Sequence, residues 1–207
     1  MNYAILVNKQ NLLSSDFVPE DLVITDNNEN NFHNYRDPNF KPMISASILP
    51  YFKAMQQAAL DAGLKEIIVD SGYRPYEYQK VVFDKFVDEV GYEEACKKVA
   101  LPGSSEHQTG IAFDIAYMDN GKYQEKTSDE DPEIIWLKEN SHKFGFILRY
   151  PLGKEAITGY SYERWHYRFV GVELATHLYN ENITLEEYYT RLKGQPRTRI
   201  TKEEDQK

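Results

Sequence analysis

The sequence contains a single cysteine, Cys96, so an internal disulfide is excluded and the fold must rest on its apolar core. Cys96 falls in the helical-looking run 92–100, where a small buried residue is expected. No apolar stretch is long enough to span a membrane. Positive charge is in short supply: 24 Lys and Arg stand against 33 Asp and Glu, for a net charge of −9. That balance argues against nucleic acid as a partner, although it leaves room for an anionic substrate at a local cation. No internal repeat and no linker divide the chain. The opening residues, Met1 to Leu6, lack a basic region followed by an apolar run. The expectation is a cytoplasmic protein, the alternative being an extracellular one whose anchor lies outside this sequence.

What is present is ordinary in hydrophobic content but rich in tyrosine, with sixteen. Tyrosine packs its ring and still presents a hydroxyl, which suits a groove for a polar peptide. The 207 residues suffice for one domain with a real core. We expect that domain over 1–193 and a charged, Pro-containing, disordered tail over 194–207. The Asn- and Asp-rich segment 26–39 reads as irregular. A helix is predicted over 45–62, with Ile48, Phe52, Met55 and Ala59 as its buried stripe, Pro50 in its early turns and Gly63 ending it. Further helices are predicted over 76–87, 92–100, from Asp131-Pro132 to Gly145, over 173–180 and over 185–192. Short strands at Ile67, Ile111, Phe146 and Trp165 interleave with them. The fold class is therefore α+β.

Two segments carry the chemistry. The first is Ser104-Ser105-Glu106-His107-Gln108-Thr109-Gly110-Ile111-Ala112-Phe113-Asp114. Read as a strand from Gly110, it places Asp114 on a face of very small residues and Ile111, Phe113, Ile115 and Tyr117 on the core face. A buried lone carboxylate should be paired or metal-bound. Taken alone, Asp114 is as readily a turn cap, and His107 a surface or satisfied core histidine. The second segment is Tyr162-Glu163-Arg164-Trp165-His166, where His166 and Arg168 point one way and Trp165, Tyr167 and Phe169 the other. Glu163 sits in the turn before that strand, either leaning over a metal as a general base or solvated and paired with Arg164. Together the segments offer two imidazoles and a carboxylate as zinc ligands, with a second carboxylate beside them, the composition of a hydrolytic zinc centre. A third segment, Val69-Asp70-Ser71-Gly72-Tyr73-Arg74-Pro75, puts Arg74 at a strand end, where it can stabilise an oxyanion or pair with a surface acid. His33, His142 and His177 lack comparable surroundings and are read as structural.

The pattern Ser105-x-His107-x-x-Gly110-x-Ala112-x-Asp114 followed by Glu163-x-x-His166 resembles the zinc D-alanyl-D-alanine carboxypeptidases, including the VanY and VanXY proteins of glycopeptide resistance and the related cell-wall L,D-carboxypeptidases. Ser71-Gly72-Tyr73-Arg74, Phe144 to Pro151 and Ile157-Thr158-Gly159-Tyr160 extend the resemblance over about residues 5–192. It implies a single domain with a small antiparallel central sheet flanked by helices, the zinc site lying on the sheet, a fold shared with Hedgehog-type signalling domains. It implies zinc on His107, Asp114 and His166, Glu163 as base, Arg74 polarising the scissile carbonyl, and Ser105 and Gln79 holding the peptide end. A departure is Arg164, where members of that family often carry proline; it removes no reactive group. The implied activity is removal of the terminal D-Ala from peptidoglycan precursors ending in D-Ala-D-Ala, which would deny glycopeptide antibiotics their ligand. Cleavage of free D-Ala-D-Ala dipeptide, action on an L,D bond in a tetrapeptide, and a zinc-bearing binding module without turnover are the alternatives. A binding module would need neither Glu163 nor Arg74.

Overall fold

The computed structural model describes residues 2–25, 41–124 and 127–194. Two short strands, β1 (Leu22–Ile24) and β2 (Met43–Ser45), precede helix α1 (Leu49–Asp61), strand β3 (Glu66–Ser71) and helices α2 (Tyr76–Val90) and α3 (Tyr92–Lys98). A 3₁₀ turn over Glu106–Thr109 leads into β4 (Ala112–Asp119) and β5 (Lys122–Gln124). Helix α4 (Pro132–Asn140), a second 3₁₀ turn (Ser141–Phe144), β6 (Phe146–Tyr150) and the one-turn α5 (Glu155–Thr158) follow. The described chain closes with β7 (Glu163–Phe169), α6 (Val172–Glu181) and α7 (Leu185–Gly194). The segment 26–39, His33 with it, and the tail beyond Gly194 lie outside the described residues.

The central sheet is antiparallel throughout, in the order β3-β4-β7-β6, with β5 on the far end of β4. Its alternation separates two environments. Ile67, Val69, Phe113, Ile115, Tyr117, Phe146, Tyr167 and Phe169 face one side and form the main core with Phe52, Met55 and Ala59 of α1 and Ile134 and Leu137 of α4. Asp114, Arg149, His166 and Arg168 alternate with them and face the other side. The fold is thus the expected α+β type, with helices on the apolar face and the polar constellation on the opposite one.

Helix α1 has the expected stripe, with Pro50 in its first turn and Gly63 at φ +80 beyond its end. It begins at Leu49 and not at Ser45, because Ser45 completes β2, donates its N–H to Gly110 O at 2.8 Å and its hydroxyl to Asp21 at 2.6 Å. Helix α2 continues to Val90 and stops at Gly91, φ +86. Cys96 is only half-buried; its neighbour Ala95 is the buried residue of α3. No helix among the described residues is long and apolar enough to cross a membrane.

Candidate metal centre

His107 lies in the 3₁₀ turn that Gly110 ends at φ +69. The expected strand therefore starts two residues later than the pattern suggested, and the turn swings His107 back over Asp114. A Cβ on Gly110 would sit 3.0 Å from Leu22 Cδ2, so both its conformation and its surroundings favour glycine. Asp114 pairs directly with His166 across the β4–β7 ladder. The result is a tight cluster: His107 Nε2 is 3.4 Å from Asp114 Oδ2, and His166 Nδ1 is 2.9 Å from Asp114 Oδ1. One ligand atom from each of the three residues lies within 4.8 Å of the others. Two nitrogen donors and one carboxylate so converged are the donor chemistry of a divalent transition metal, zinc above all. His107 Nδ1 is 2.8 Å from Gly72 O. A ring nitrogen donating to a backbone carbonyl leaves the other free for a metal.

The carbonyl that orients His107 is itself fixed by close packing. A Cβ on Gly72 would fall 2.1 Å from Met43 O, inside any permitted contact. Gly72→Ala must push β2 aside, and such overpacking costs about 1–3 kcal/mol. A melting temperature lower by roughly 2–10 °C is the expected result, and an unchanged melt would show that β2 yields freely.

Glu163, expected in the preceding turn, is the first residue of β7. Strict alternation would send it to the core face with Trp165 and Tyr167. The ladder breaks here: Leu148 pairs with Tyr167, but Tyr150 pairs with Glu163. This irregularity brings Glu163 Oε2 to 4.0 Å from His166 Nδ1. Burial raises the Glu163 carboxyl to about 7, with His166 opposing the rise and Asp114 adding to it. Arg164 pairs with Asp129 at 2.8 Å and not with Glu163, so the acid is left to the site.

Arg74 extends from beyond β3 and sits 4.0 Å from Asp114 Oδ2. It donates to Gln79 Oε1 at 2.9 Å and to Ser71 Oγ at 3.1 Å. Gln79 donates in turn to Ala100 O at 2.6 Å. Six of the seven candidate residues, Arg74, Ser105, His107, Asp114, Glu163 and His166, line one cavity of about 270 Å³. Gln79, 1 % exposed, is not among the lining residues and reaches the cavity through Arg74, to which it is hydrogen-bonded. A second cavity, of about 320 Å³ and beside α6, contains none of the seven. His142 stacks on Tyr179 at 3.8 Å and His177 meets Tyr188 edge-on, both apart from the cluster as expected.

Three charged residues lie beneath His166 that no motif in the sequence marks as part of the site. Glu106, Arg149 and Arg168 have side chains with no exposure at all. Burial pushes the Glu106 carboxyl up, but Arg149 and Arg168 outweigh burial and hold it well below the usual carboxylate range. Charges on strands usually read as a solvated face; the available signal was Arg168 set between Tyr167 and Phe169 in an otherwise apolar run.

Comparison with known proteins covers the part of the chain that carries the site. The family model for VanY, D-alanyl-D-alanine carboxypeptidase, matches residues 41–172. A D-alanyl-D-alanine carboxypeptidase of Enterococcus faecalis is 44 % identical over 154 residues, covering 70 % of this chain and 55 % of that protein. The chain therefore spans little more than half the length of that relative. Among solved structures, the LdcB LD-carboxypeptidase superposes with a TM-score of 0.77 at 39 % identity, over 89 % of this chain and 84 % of that one. A vancomycin-resistance D,D-pentapeptidase VanY in complex with Zn(II) gives 0.75 at 37 % identity, over 91 % and 99 %.

Proposed function

The chain belongs to the VanY family of D-alanyl-D-alanine carboxypeptidases, and on that basis we propose that it is a zinc D,D-carboxypeptidase that removes the terminal D-Ala from peptidoglycan precursor peptides. The observation that supports this best is the meeting of Arg74 and Glu163 with the His107–Asp114–His166 cluster in one cavity. A binding module requires neither of the first two. His107, Asp114 and His166 would hold the zinc, His107 through the nitrogen that Gly72 leaves free. Zinc in that position supplies Lewis acidity, which polarises a carbonyl and makes water a nucleophile near neutral pH.

The remaining work falls to the chain. Glu163, buried and raised to about 7, takes the proton from the attacking water and returns it to the leaving amine. Arg74, held by Gln79 and Ser71, presents its guanidinium to the oxygen that gains charge as the carbonyl becomes tetrahedral. Ser105 lines the cavity, placed to hold the peptide end. Tyr150, stacked at 5.0 Å on His166, and Trp165 form part of its walls.

Two measurements test this reading. Elemental analysis of gently purified protein should find about one zinc per chain; metal-free protein that still cleaves peptide would refute the zinc assignment. Released D-Ala should then be followed from UDP-linked pentapeptide, free D-Ala-D-Ala and tetrapeptide side by side. Cleavage of pentapeptide to tetrapeptide is expected, with weaker or no action on D-Ala-D-lactate ends. The likeness to LdcB favours a second reading, an L,D-carboxypeptidase. Exclusive cleavage of the tetrapeptide would establish it and leave the same catalytic residues in place.

A further inference from the structure

Behind the metal-facing side of His166 lies a polar arrangement that hydrolysis itself does not use. Glu106 Oε1 receives Arg149 Nε at 2.8 Å and lies 2.8 Å from Arg168 Nη1. Arg149 is anchored from its far side by Glu186, at 2.6 and 2.9 Å. Arg168 is anchored by backbone oxygens of Phe169, Tyr3 and Ile5 at 2.8–3.1 Å. One carboxylate oxygen of Glu106 thus accepts a hydrogen bond from Arg149 and is ion-paired with Arg168, whose Nη1 has no hydrogen-bond partner among the described residues. The other, Oε2, points at His166 Nε2 across 3.6 Å. Both of these atoms are buried and have no hydrogen-bond partner among the described residues. The gap is slightly too long for a hydrogen bond and too short to admit a bridging water, which would need about 5 Å. A tilt of the His166 ring by a few tenths of an ångström closes it. Two buried orphan atoms of complementary chemistry facing each other are costly to leave unjoined.

We infer that Glu106 is a positioning residue: it accepts the Nε2 proton of His166 and so fixes the tautomer whose Nδ1 lone pair faces Asp114 and the metal. The inference rests on the proposed role of His166 as a ligand. It gives the two histidines mirror-image supports, Gly72 O behind Nδ1 of His107 and Glu106 behind Nε2 of His166. It also accounts for two fully buried arginines, which are expensive unless their partner must remain an anion in a fixed place.

Glu106→Gln tests it, because the arginines dictate how the amide must sit. Arg149 and Arg168 require the oxygen, so the NH₂ group is turned toward His166 Nε2. It donates there and favours the opposite tautomer, with the proton on Nδ1. Zinc affinity, measured by chelator competition, should fall on the order of ten- to a hundredfold. Nitrogen-15 spectra of the zinc-loaded wild type should place the His166 ring proton on Nε2, hydrogen-bonded. Glu106→Asp keeps the charge but draws the carboxylate back, so it should retain the fold and lose part of the affinity. Glu186→Gln disturbs the same network without touching His166, so its thermal stability should drop while zinc affinity stays. Wild-type zinc affinity in both Glu106 variants, with His166→Ala losing the metal, would overturn the inference alone. Wild-type affinity in His166→Ala as well would overturn the ligand assignment beneath it.

Discussion

Glu163→Gln should fold, keep its zinc and lose turnover by about a thousandfold or more. The substitution preserves size and hydrogen-bonding reach and removes only the ability to accept a proton. Glu163 stands outside the converged donor set of His107, Asp114 and His166, so losing its charge should not release the metal. Its carboxyl lies within reach of the cleft, 4.0 Å from His166 Nδ1, and burial raises it to about 7. A base poised near neutral pH can both take a proton from water and give it up to an amine within one cycle. His166→Ala should lose metal and activity together, which separates ligand from base. Parallel zinc analysis and D-Ala release on the two variants make the comparison; near-normal turnover in Glu163→Gln would place the base elsewhere.

Glu163 also shows where a sequence reading stops. Its presence near a metal follows from spacing to His166, but its direction does not. Alternation alone would bury it with Trp165 and Tyr167, and only the broken register between β6 and β7 turns it inward. Register irregularities depend on both strands at once and leave no mark on one. The same holds for β1, β2 and β5, each three residues long, too short to display a period of two. Strands β4 and β7 of the central sheet were legible because each alternates over an apolar face, as Ile111, Phe113, Ile115 and Tyr117 declare plainly for β4, and β3 because it is a short apolar run, Ile67 to Val69. His107, Asp114 and His166 were legible because each stands in a short motif, and the resemblance joined two segments whose Asp114 and His166 lie 52 residues apart. The support that Gln79 gives Arg74 was not legible, because its anchor at Ala100 O lies 21 residues further along the chain. Arg149, Arg168 and Glu106 escaped for a related reason. A charge on a strand is ordinarily solvated, and their burial becomes visible only once α7 brings Glu186 against Arg149.

Arg74→Ala should lower kcat by about a hundredfold or more while changing KM little. The effect depends on when the guanidinium acts. Asp114 already lies 4.0 Å from it, so in the ground state Arg74 faces a negative charge and a neutral carbonyl adds little to its surroundings. As the carbonyl becomes tetrahedral its oxygen acquires charge, and the attraction grows just as the barrier is crossed. An interaction made mainly in the transition state appears in kcat and hardly in KM. Lysine should rescue only in part, because it lacks the planar fork that lets one side chain meet Gln79, Ser71 and the reacting oxygen at once. Gln79→Ala should move kcat in the same direction by a smaller factor, since it frees Arg74 to swing without removing the charge. A rise in KM alone for Arg74→Ala would mean that the guanidinium holds the peptide's terminal carboxylate, a contact equally strong before and during reaction. Oxyanion stabilisation would then fall to the metal alone.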